Sequence, residues 1–135
     1  MNIPAGLRAK VAQLAGYRCE YCRLSQKGQE ATFHVDHIIP VAAGGETLPG
    51  NLALACVSCS LRKGARRSAI DPLTGIETLL FHPRHEAWNV HFDWKGDRVL
   101  GISPTGRATV DSLKMNRLMA VAIRKEERFH GRHPP

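Results

Sequence analysis

The sequence contains no run of about 18 or more apolar residues, the shortest stretch that usually spans a bilayer as a helix. Its first residues, MNIPAG, also lack the basic and apolar segments of a secretory signal peptide. These absences argue against a membrane-spanning protein and against export. We therefore expect a cytoplasmic protein that has no membrane partner.

The composition fits neither a disordered chain nor a fibrous repeat. Apolar residues make up 43% of the 135 positions and charged residues 23%, which is the ordinary range for a globular protein. Independent cores usually need roughly 100 to 200 residues, so a chain of this length holds one domain in most cases. We predict a single domain over residues 1–135.

Positive charge is in excess and is concentrated in the second half of the sequence. The 19 Lys and Arg residues against 12 Asp and Glu residues give a formal net charge of +7. Residues 1–60 hold five basic and four acidic groups, whereas residues 61–135 hold fourteen and eight. Four of the basic residues fall within six positions, at Arg62, Lys63, Arg66 and Arg67. The cluster predicts contact with a nucleic acid, although a solvated basic face without a partner would carry the same charge.

The four cysteines occur as two pairs with equal spacing, Cys19-x-x-Cys22 and Cys56-x-x-Cys59. Two residues between thiolates allow each pair to turn around one metal ion, and two such pairs complete a tetrahedral site. We predict a structural Zn²⁺ held by all four sulfurs. Because a four-thiolate site leaves no open coordination position, catalytic chemistry would come from other residues.

Two other interpretations of the cysteines stay open at this stage. Disulfide bonds would be usual in a secreted protein, but the sequence has no visible export signal. A redox-active CxxC pair lies beside a parallel strand and a helix, and it has no use for a matched second pair. Zinc is the interpretation that explains both pairs together.

The segment between the cysteine pairs combines histidine, aspartate and glycine. It reads TFHVDHIIP at residues 32–40, GG at 44–45 and NLAL at 51–54. This pattern predicts an extended segment, a turn and a second extended segment. Side chains alternate between faces in an extended segment, so His34 and Asp36 would share one face and His37 would lie on the other. An imidazole and a carboxylate on one face are suitable ligands for a divalent cation.

The stretch from Tyr17 to Lys63 resembles the HNH nuclease motif with its zinc-binding cysteine pairs. The resemblance rests on YRCEYC and FHVDHIIPVAAGGETLPGNLALACVSCSLRK, in which Asp-His, Gly-Gly, Asn-Leu and CxxC with a following Lys stand in the expected order. The stretch FHPRHEAWNVHFDWKGDRVLGISPTGRATVDSLKMNR resembles the C-terminal extension of a bacterial, largely cyanobacterial-type HNH subgroup. The resemblance implies an α+β fold with a ββα-metal (His-Me finger) core at about residues 17–67 and an extension at about 71–130.

The resemblance also implies roles for individual residues. Asp36 would hold a catalytic Mg²⁺ or Mn²⁺, and His37 would be the general base that takes a proton from the attacking water. Asn51 would hold the loop and orient His37 through a backbone hydrogen bond. Such a set suits metal-assisted phosphodiester hydrolysis, because an imidazole with an ordinary pKa of about 6.5 accepts a proton near neutral pH.

The sequence departs from the family pattern at Ser60. Many HNH nucleases have Asn or His directly after the last cysteine as a second protein ligand, and serine offers a shorter, weaker one. Three outcomes stay open: Asp36 holds the ion with Ser60 or a water, Asp36 holds it with His34, or the site is too weak for catalysis. Mg²⁺ tolerates the first two, because it often keeps several waters and uses one or two carboxylates.

Apolar spacing and turn residues predict elements elsewhere in the chain. Residues 4–15 and about 109–129 have helical periodicity, and a short helix carrying the basic cluster is expected after Cys59. Residues 76–81 are predicted as a strand and residues 90–103 as a β-hairpin. Residues 131–135 are expected to fray.

The function predicted from these features is metal-dependent endonuclease cleavage of DNA, in the manner of an HNH enzyme. The alternative is a zinc-stabilised nucleic-acid-binding module whose nuclease site has decayed at Ser60. A redox or metal-sensing protein that uses the CxxC pairs is a third class, which the matched spacing disfavours.

Overall fold

The computed structural model describes residues 3–135 and contains two compact units. Unit 1 is Met1–Ala65, of which Met1 and Asn2 lie outside the described residues, and unit 2 is Arg66–Pro135. Both units mix helices with short strands, which confirms the predicted α+β class. Among residues 3–135, no helix has both the length and the apolar character needed to cross a membrane.

Unit 1 consists of two helices and one two-stranded sheet, joined by turns. Its regular elements are α1 (Ala5–Leu14), β1 (His34–His37), β2 (Leu52–Ala55) and α2 (Val57–Lys63). Single 3-10 turns occur at Gln26–Gly28, Val41–Ala43 and Pro49–Asn51. The order of β1, β2 and α2 gives the ββα arrangement that the sequence predicts.

The sheet of unit 1 is an antiparallel pair in which His34 lies opposite Ala55 and His37 opposite Leu52. All four residues of β2 are buried, so this strand forms the centre of the unit. Glu20, from the first cysteine pair, reaches the same strand: its N–H donates to the Leu54 carbonyl and its carboxylate accepts from the Leu54 N–H, both at 2.8 Å. The first cysteine pair is thereby fixed against β2.

Helix α2 begins earlier than the sequence pattern indicates, because the second cysteine pair is its first turn. Cys56 is the N-cap, and its sulfur accepts a hydrogen bond from the Cys59 N–H at 3.4 Å. A capping side chain satisfies an N–H that otherwise has no partner within the helix. The helix ends at Lys63, where Gly64 takes a positive φ of 52°.

Unit 2 contains three two-stranded elements and helices, listed in chain order. They are β3 (Ser68–Ile70), β4 (Glu77–Leu79), α3 (Trp88–His91), β5 (Phe92–Lys95), β6 (Arg98–Gly101), α4 (Pro104–Ser112) and α5 (Leu118–Phe129). The strands pair as β3 with β4 and β5 with β6, both antiparallel. The β5–β6 pair confirms the predicted hairpin, whereas β3 has no counterpart among the predicted elements.

The helix predicted at about 109–129 is two helices, α4 and α5, and this part of the prediction is wrong. Helix α4 starts at Pro104, where the Ser103 hydroxyl accepts from the Gly106 N–H at 2.9 Å. The chain then leaves the helical conformation at Lys114, which has a φ of 51°. Asn116 pairs instead with the backbone of Val99 in β6, so a tertiary contact replaces helical hydrogen bonds.

The C-terminal residues 131–135 do not fray as expected. His133 is buried, its Nε2 lies 3.0 Å from the Gly96 carbonyl, and its ring meets the Trp94 ring edge-on at 4.7 Å. These contacts fix the end of the chain to the β5–β6 turn.

Candidate active site and metal centre

The four cysteine sulfurs converge in unit 1. They all lie within 4.8 Å of one another, and the sulfurs of Cys22 and Cys56 are 3.8 Å apart. A tetrahedral zinc site with Zn–S bonds of about 2.3 Å places its sulfurs roughly 3.8 Å apart. The cluster therefore fits a tetrahedral four-thiolate metal site, and all four residues are free thiols in this structure.

The surroundings of the sulfurs also suit a cation. All four cysteines are buried, and the N–H groups of Cys22 and Cys59 point at the sulfurs of Cys19 and Cys56, at 3.5 and 3.4 Å. Hydrogen bonds from the other thiols lower the pKa of Cys56, while hydrogen bonding to its neighbours raises the pKa of Cys22 and of Cys59. Because adjacent thiolates repel one another, a divalent ion such as zinc is what would let all four ionise together.

His34 and Asp36 share one face of β1, as the alternation predicts. His34 is exposed and Asp36 half-buried, and both line a cleft of about 960 Å³ in unit 1. Residues of α1 and the turn that follows it, including Arg8 and Tyr17, line the same cleft. A carboxylate and an imidazole therefore face an open space large enough to admit a substrate.

Ser60 projects from α2 toward this face. Its hydroxyl lies 2.8 Å from Nδ1 of His34, so the structure joins two of the three residues predicted as metal ligands. Among residues 3–135, the cysteines are the only cluster of three or more His, Cys, Asp or Glu side chains with metal-binding geometry. A second ion in this face would thus have few protein ligands, which Mg²⁺ accepts because it keeps waters and binds substrate phosphate oxygens.

His37 occupies the other face of β1 and is half-buried. Its Nε2 lies 2.9 Å from the hydroxyl of Thr47, a residue of the loop between β1 and β2. A neighbour of this kind selects the tautomer and fixes the ring plane. The sequence pattern gave no signal for Thr47, because a hydroxyl in a turn has many structural explanations.

Asn51 fastens the segment that follows His37. Its amide oxygen accepts from the Ile39 N–H at 2.8 Å, and its amide nitrogen donates to the carbonyls of Ile39 and Glu46 at 3.0 and 2.9 Å. The Asn51 carbonyl also accepts from the Ile38 N–H at 2.8 Å. Asn51 thus acts on the two residues after His37 and does not touch the imidazole itself.

Gly45 is required for the same loop to close. A Cβ at this position would overlap the Ile39 carbonyl and crowd the amide nitrogen of Asn51. The neighbouring Gly44 takes a φ of 88°, which side chains rarely adopt. The Gly-Gly pair therefore serves the approach of the loop to Asn51.

The predicted nucleic-acid-binding residues differ in their surroundings. Arg62 is exposed and its Nε donates to the Ser58 hydroxyl at 3.2 Å, while Arg66 and Arg67 are exposed in unit 2. Lys63 is only 4% exposed, and its ammonium donates to the Ile38 carbonyl at 3.0 Å. Lys63 is not accessible to a phosphate in this conformation, so it is better described as a link between α2 and the end of β1.

Comparison with known families gives one match. Residues 19–66 match the family described as HNH endonuclease. The matched segment contains both cysteine pairs, β1, β2 and α2, and it ends where unit 2 begins. No curated protein and no solved structure matches the chain.

Proposed function

Residues 19–66 form a domain of the HNH endonuclease family, and from this premise we propose that the protein hydrolyses phosphodiester bonds in DNA with the help of a divalent cation. The contact between His34 and Ser60 on the face that also carries Asp36 is the observation that supports the proposal most directly. It places nitrogen and oxygen donors from β1 and α2 around one opening.

The donors of this face suit Mg²⁺ or Mn²⁺. Asp36 supplies a carboxylate, His34 a ring nitrogen and Ser60 a hydroxyl, which are ligand types that these ions accept. When bound, such an ion would act as a Lewis acid on the phosphate and stabilise the charge on the leaving oxygen. Asp36 and His34 would hold the substrate phosphate in place through it.

His37 is proposed as the general base. If Nε2 carries the ring proton and donates to the Thr47 hydroxyl, Nδ1 keeps its lone pair and can take a proton from the attacking water. In the described part of the chain, Nδ1 has no hydrogen-bond partner that would compete for this role. Asn51 keeps the following backbone rigid, so the ring is supported on both sides.

The cysteine cluster is proposed to hold zinc as a scaffold. Cys19 and Cys22 fix the first turn against β2, while Cys56 and Cys59 cap α2, so one ion ties the chain segments before and after the sheet. Four sulfur ligands would leave the ion no open position for substrate.

Plasmid cleavage tests the proposal. Purified protein incubated with supercoiled plasmid and Mg²⁺ or Mn²⁺ should nick or linearise it, and EDTA should stop the reaction. The His37→Ala variant is the control against a contaminating nuclease, since loss of a general base costs about 10² to 10⁴ in rate. Cleavage at an equal rate by wild type and His37→Ala would overturn the assignment of the base.

A second function remains in competition because of the same contact. The Ser60 hydroxyl engages His34 where many family members have a longer Asn or His ligand, and this favours a domain that binds nucleic acid without cutting it. A wild-type protein that binds DNA but stays inert with every divalent ion tested would support this second function.

A further inference from the structure

We propose that unit 2 carries a binding groove for the phosphate backbone of duplex DNA, outside the segment that matches the HNH family. The groove lies among β6, α4 and the segment that joins α4 to α5, and it has a volume of about 440 Å³. We call it the basic groove; its charged lining residues are Arg98, Arg107, Asp111, Lys114 and Arg117. The choice of DNA as the polyanion rests on the proposed function.

The wall made by α4 and β6 is closely packed. A Cβ at Gly101 would crowd the backbone of Arg107, and a Cβ at Gly106 would overlap the His91 carbonyl, so only glycine permits this approach. Arg107 in turn donates two hydrogen bonds to Asp71, at 3.0 and 2.9 Å, and Asp71 is fully buried. Two elements that carry groove residues are therefore held together by backbone contact and by an ion pair.

The third wall is the segment between α4 and α5. The Asn116 amide oxygen accepts from the Val99 N–H and its nitrogen donates to the Val99 carbonyl, both at 2.8 Å. Arg124 donates to the Met115 carbonyl at 2.6 Å. These bonds hold the segment against β6 and so fix the backbone on either side of Asn116, at Lys114 and Arg117.

The charges in the basic groove are unbalanced. Arg107 is neutralised by Asp71, which leaves Arg98, Lys114 and Arg117 against the single carboxylate of Asp111. Within residues 3–135, none of these three cations has an ion-pair partner; the one hydrogen bond among their side chains is a long contact of 3.4 Å from Arg117 to the Lys114 carbonyl. Cations from two rigid segments that face a common groove without counter-charges suit a chain of phosphates.

The groove favours a duplex over a single strand because it has nothing on which bases could stack. Its other lining residues are Pro72, Val99, Leu100, Gly101, Val110 and Asn116, none of them aromatic. Sites for single-stranded nucleic acid usually combine a basic track with exposed aromatic rings. A backbone contact without rings is the arrangement expected for the outside of a double helix.

The test is DNA binding by the full chain without catalysis. A labelled duplex is titrated by fluorescence anisotropy in EDTA at several salt concentrations, with wild type and the Lys114→Gln/Arg117→Gln variant. We expect weaker binding and a slope of log K against log salt that is flatter by up to about 1.8, since each lost phosphate contact removes roughly 0.9. The control is Lys10→Gln/Lys125→Gln, which removes the same charge from exposed positions outside the groove.

The outcomes separate this proposal from the nuclease. Equal losses in the two double variants would overturn the groove, because net charge alone would then explain the binding. Tighter binding of a single strand of equal length would overturn the assignment to duplex DNA. A wild type that binds through the groove but does not cut plasmid would overturn the nuclease and leave the groove in place. Melting followed by fluorescence of Trp88 and Trp94, both in unit 2, verifies that the variants fold.

Discussion

Nδ1 of His34 lies 2.8 Å from the hydroxyl of Ser60, so β1 and α2 are joined by two side chains that the sequence nominates as alternative metal ligands. The two are therefore not independent. If Nδ1–H donates to the Ser60 oxygen, Nε2 keeps its lone pair and is free to bind a cation beside Asp36. Ser60 would then orient the ligand without being one, as the partners of metal-bound histidines commonly do.

This arrangement predicts unequal effects at the two positions. His34→Ala should remove metal-dependent cleavage, whereas Ser60→Ala should raise the metal concentration required by about 10-fold, the lower end for losing a partner of a metal ligand. Ser60→Asn should lower that concentration, because an amide oxygen reaches farther than a hydroxyl and suits a hard cation. Cleavage rates over a Mg²⁺ titration measure all three.

Ser58→Ala is the matched control for these variants. Ser58 lies on the same helix and its hydroxyl accepts from Arg62, away from the contact with His34. A wild-type metal requirement in His34→Ala would contradict the role of His34. Activity that appears only in Ser60→Asn would show that the natural protein binds DNA without cutting it.

The contact between His37 and Thr47 predicts a positioning effect on the base. Thr47→Val keeps the shape and removes the hydroxyl, so the ring loses the partner that holds Nε2. We expect roughly a 10-fold lower kcat at little change in DNA affinity, a modest part of what a general base contributes. Thr47→Ser should restore the rate, because it restores the hydroxyl. Equal rates for the Val and Ser variants would mean that Thr47 only fills space.

Metal removal should unfold unit 1 selectively. A strong chelator or the Cys59→Ser change should release zinc and abolish the ordered environment of Tyr17 and Tyr21, because metal binding free energy is part of the folding free energy of such sites. Elemental analysis should find about one zinc per chain in the wild type. Near-ultraviolet circular dichroism of tyrosine reports unit 1, and both tryptophans report unit 2. Thiols that form reversible disulfides in a zinc-free native protein would instead favour a redox role.

The ion pair between Asp71 and Arg107 predicts how the stability of unit 2 depends on pH. Hydrogen bonds from Arg107 lower the pKa of Asp71 from 3.8 to about 2. A depressed carboxyl pKa contributes stability that is fully present above pH 3.8 and is lost as the pH falls toward about 2. Asp71→Asn should therefore be less stable than wild type at neutral pH and lose less stability between pH 4 and pH 2.

Denaturant unfolding followed by tryptophan fluorescence measures this effect, since loss of zinc from unit 1 in acid does not alter either tryptophan directly. Asp111→Asn is the control, because Asp111 is an exposed carboxylate on the same helix as Arg107. Parallel pH profiles for wild type and Asp71→Asn would contradict the role of the ion pair.

Local spacing determined much of unit 1 from the sequence. Two CxxC pairs can satisfy a tetrahedral ion at any separation along the chain, so their convergence follows from the pattern. Alternation along an extended strand is equally local, and it placed His34 with Asp36 and opposite His37. The turn residues of the β5–β6 hairpin acted in the same way.

The tertiary structure decided whatever depends on residues distant in sequence. Lys63 looks like one of four surface cations, but the backbone of Ile38, 25 positions away, supplies a carbonyl that buries its ammonium. The helical periodicity near residue 114 is overruled because Asn116 pairs with Val99, 17 positions away. Periodicity and composition describe only neighbours along the chain, whereas the burial of a charge or the end of a helix depends on which partner the fold brings within hydrogen-bond distance.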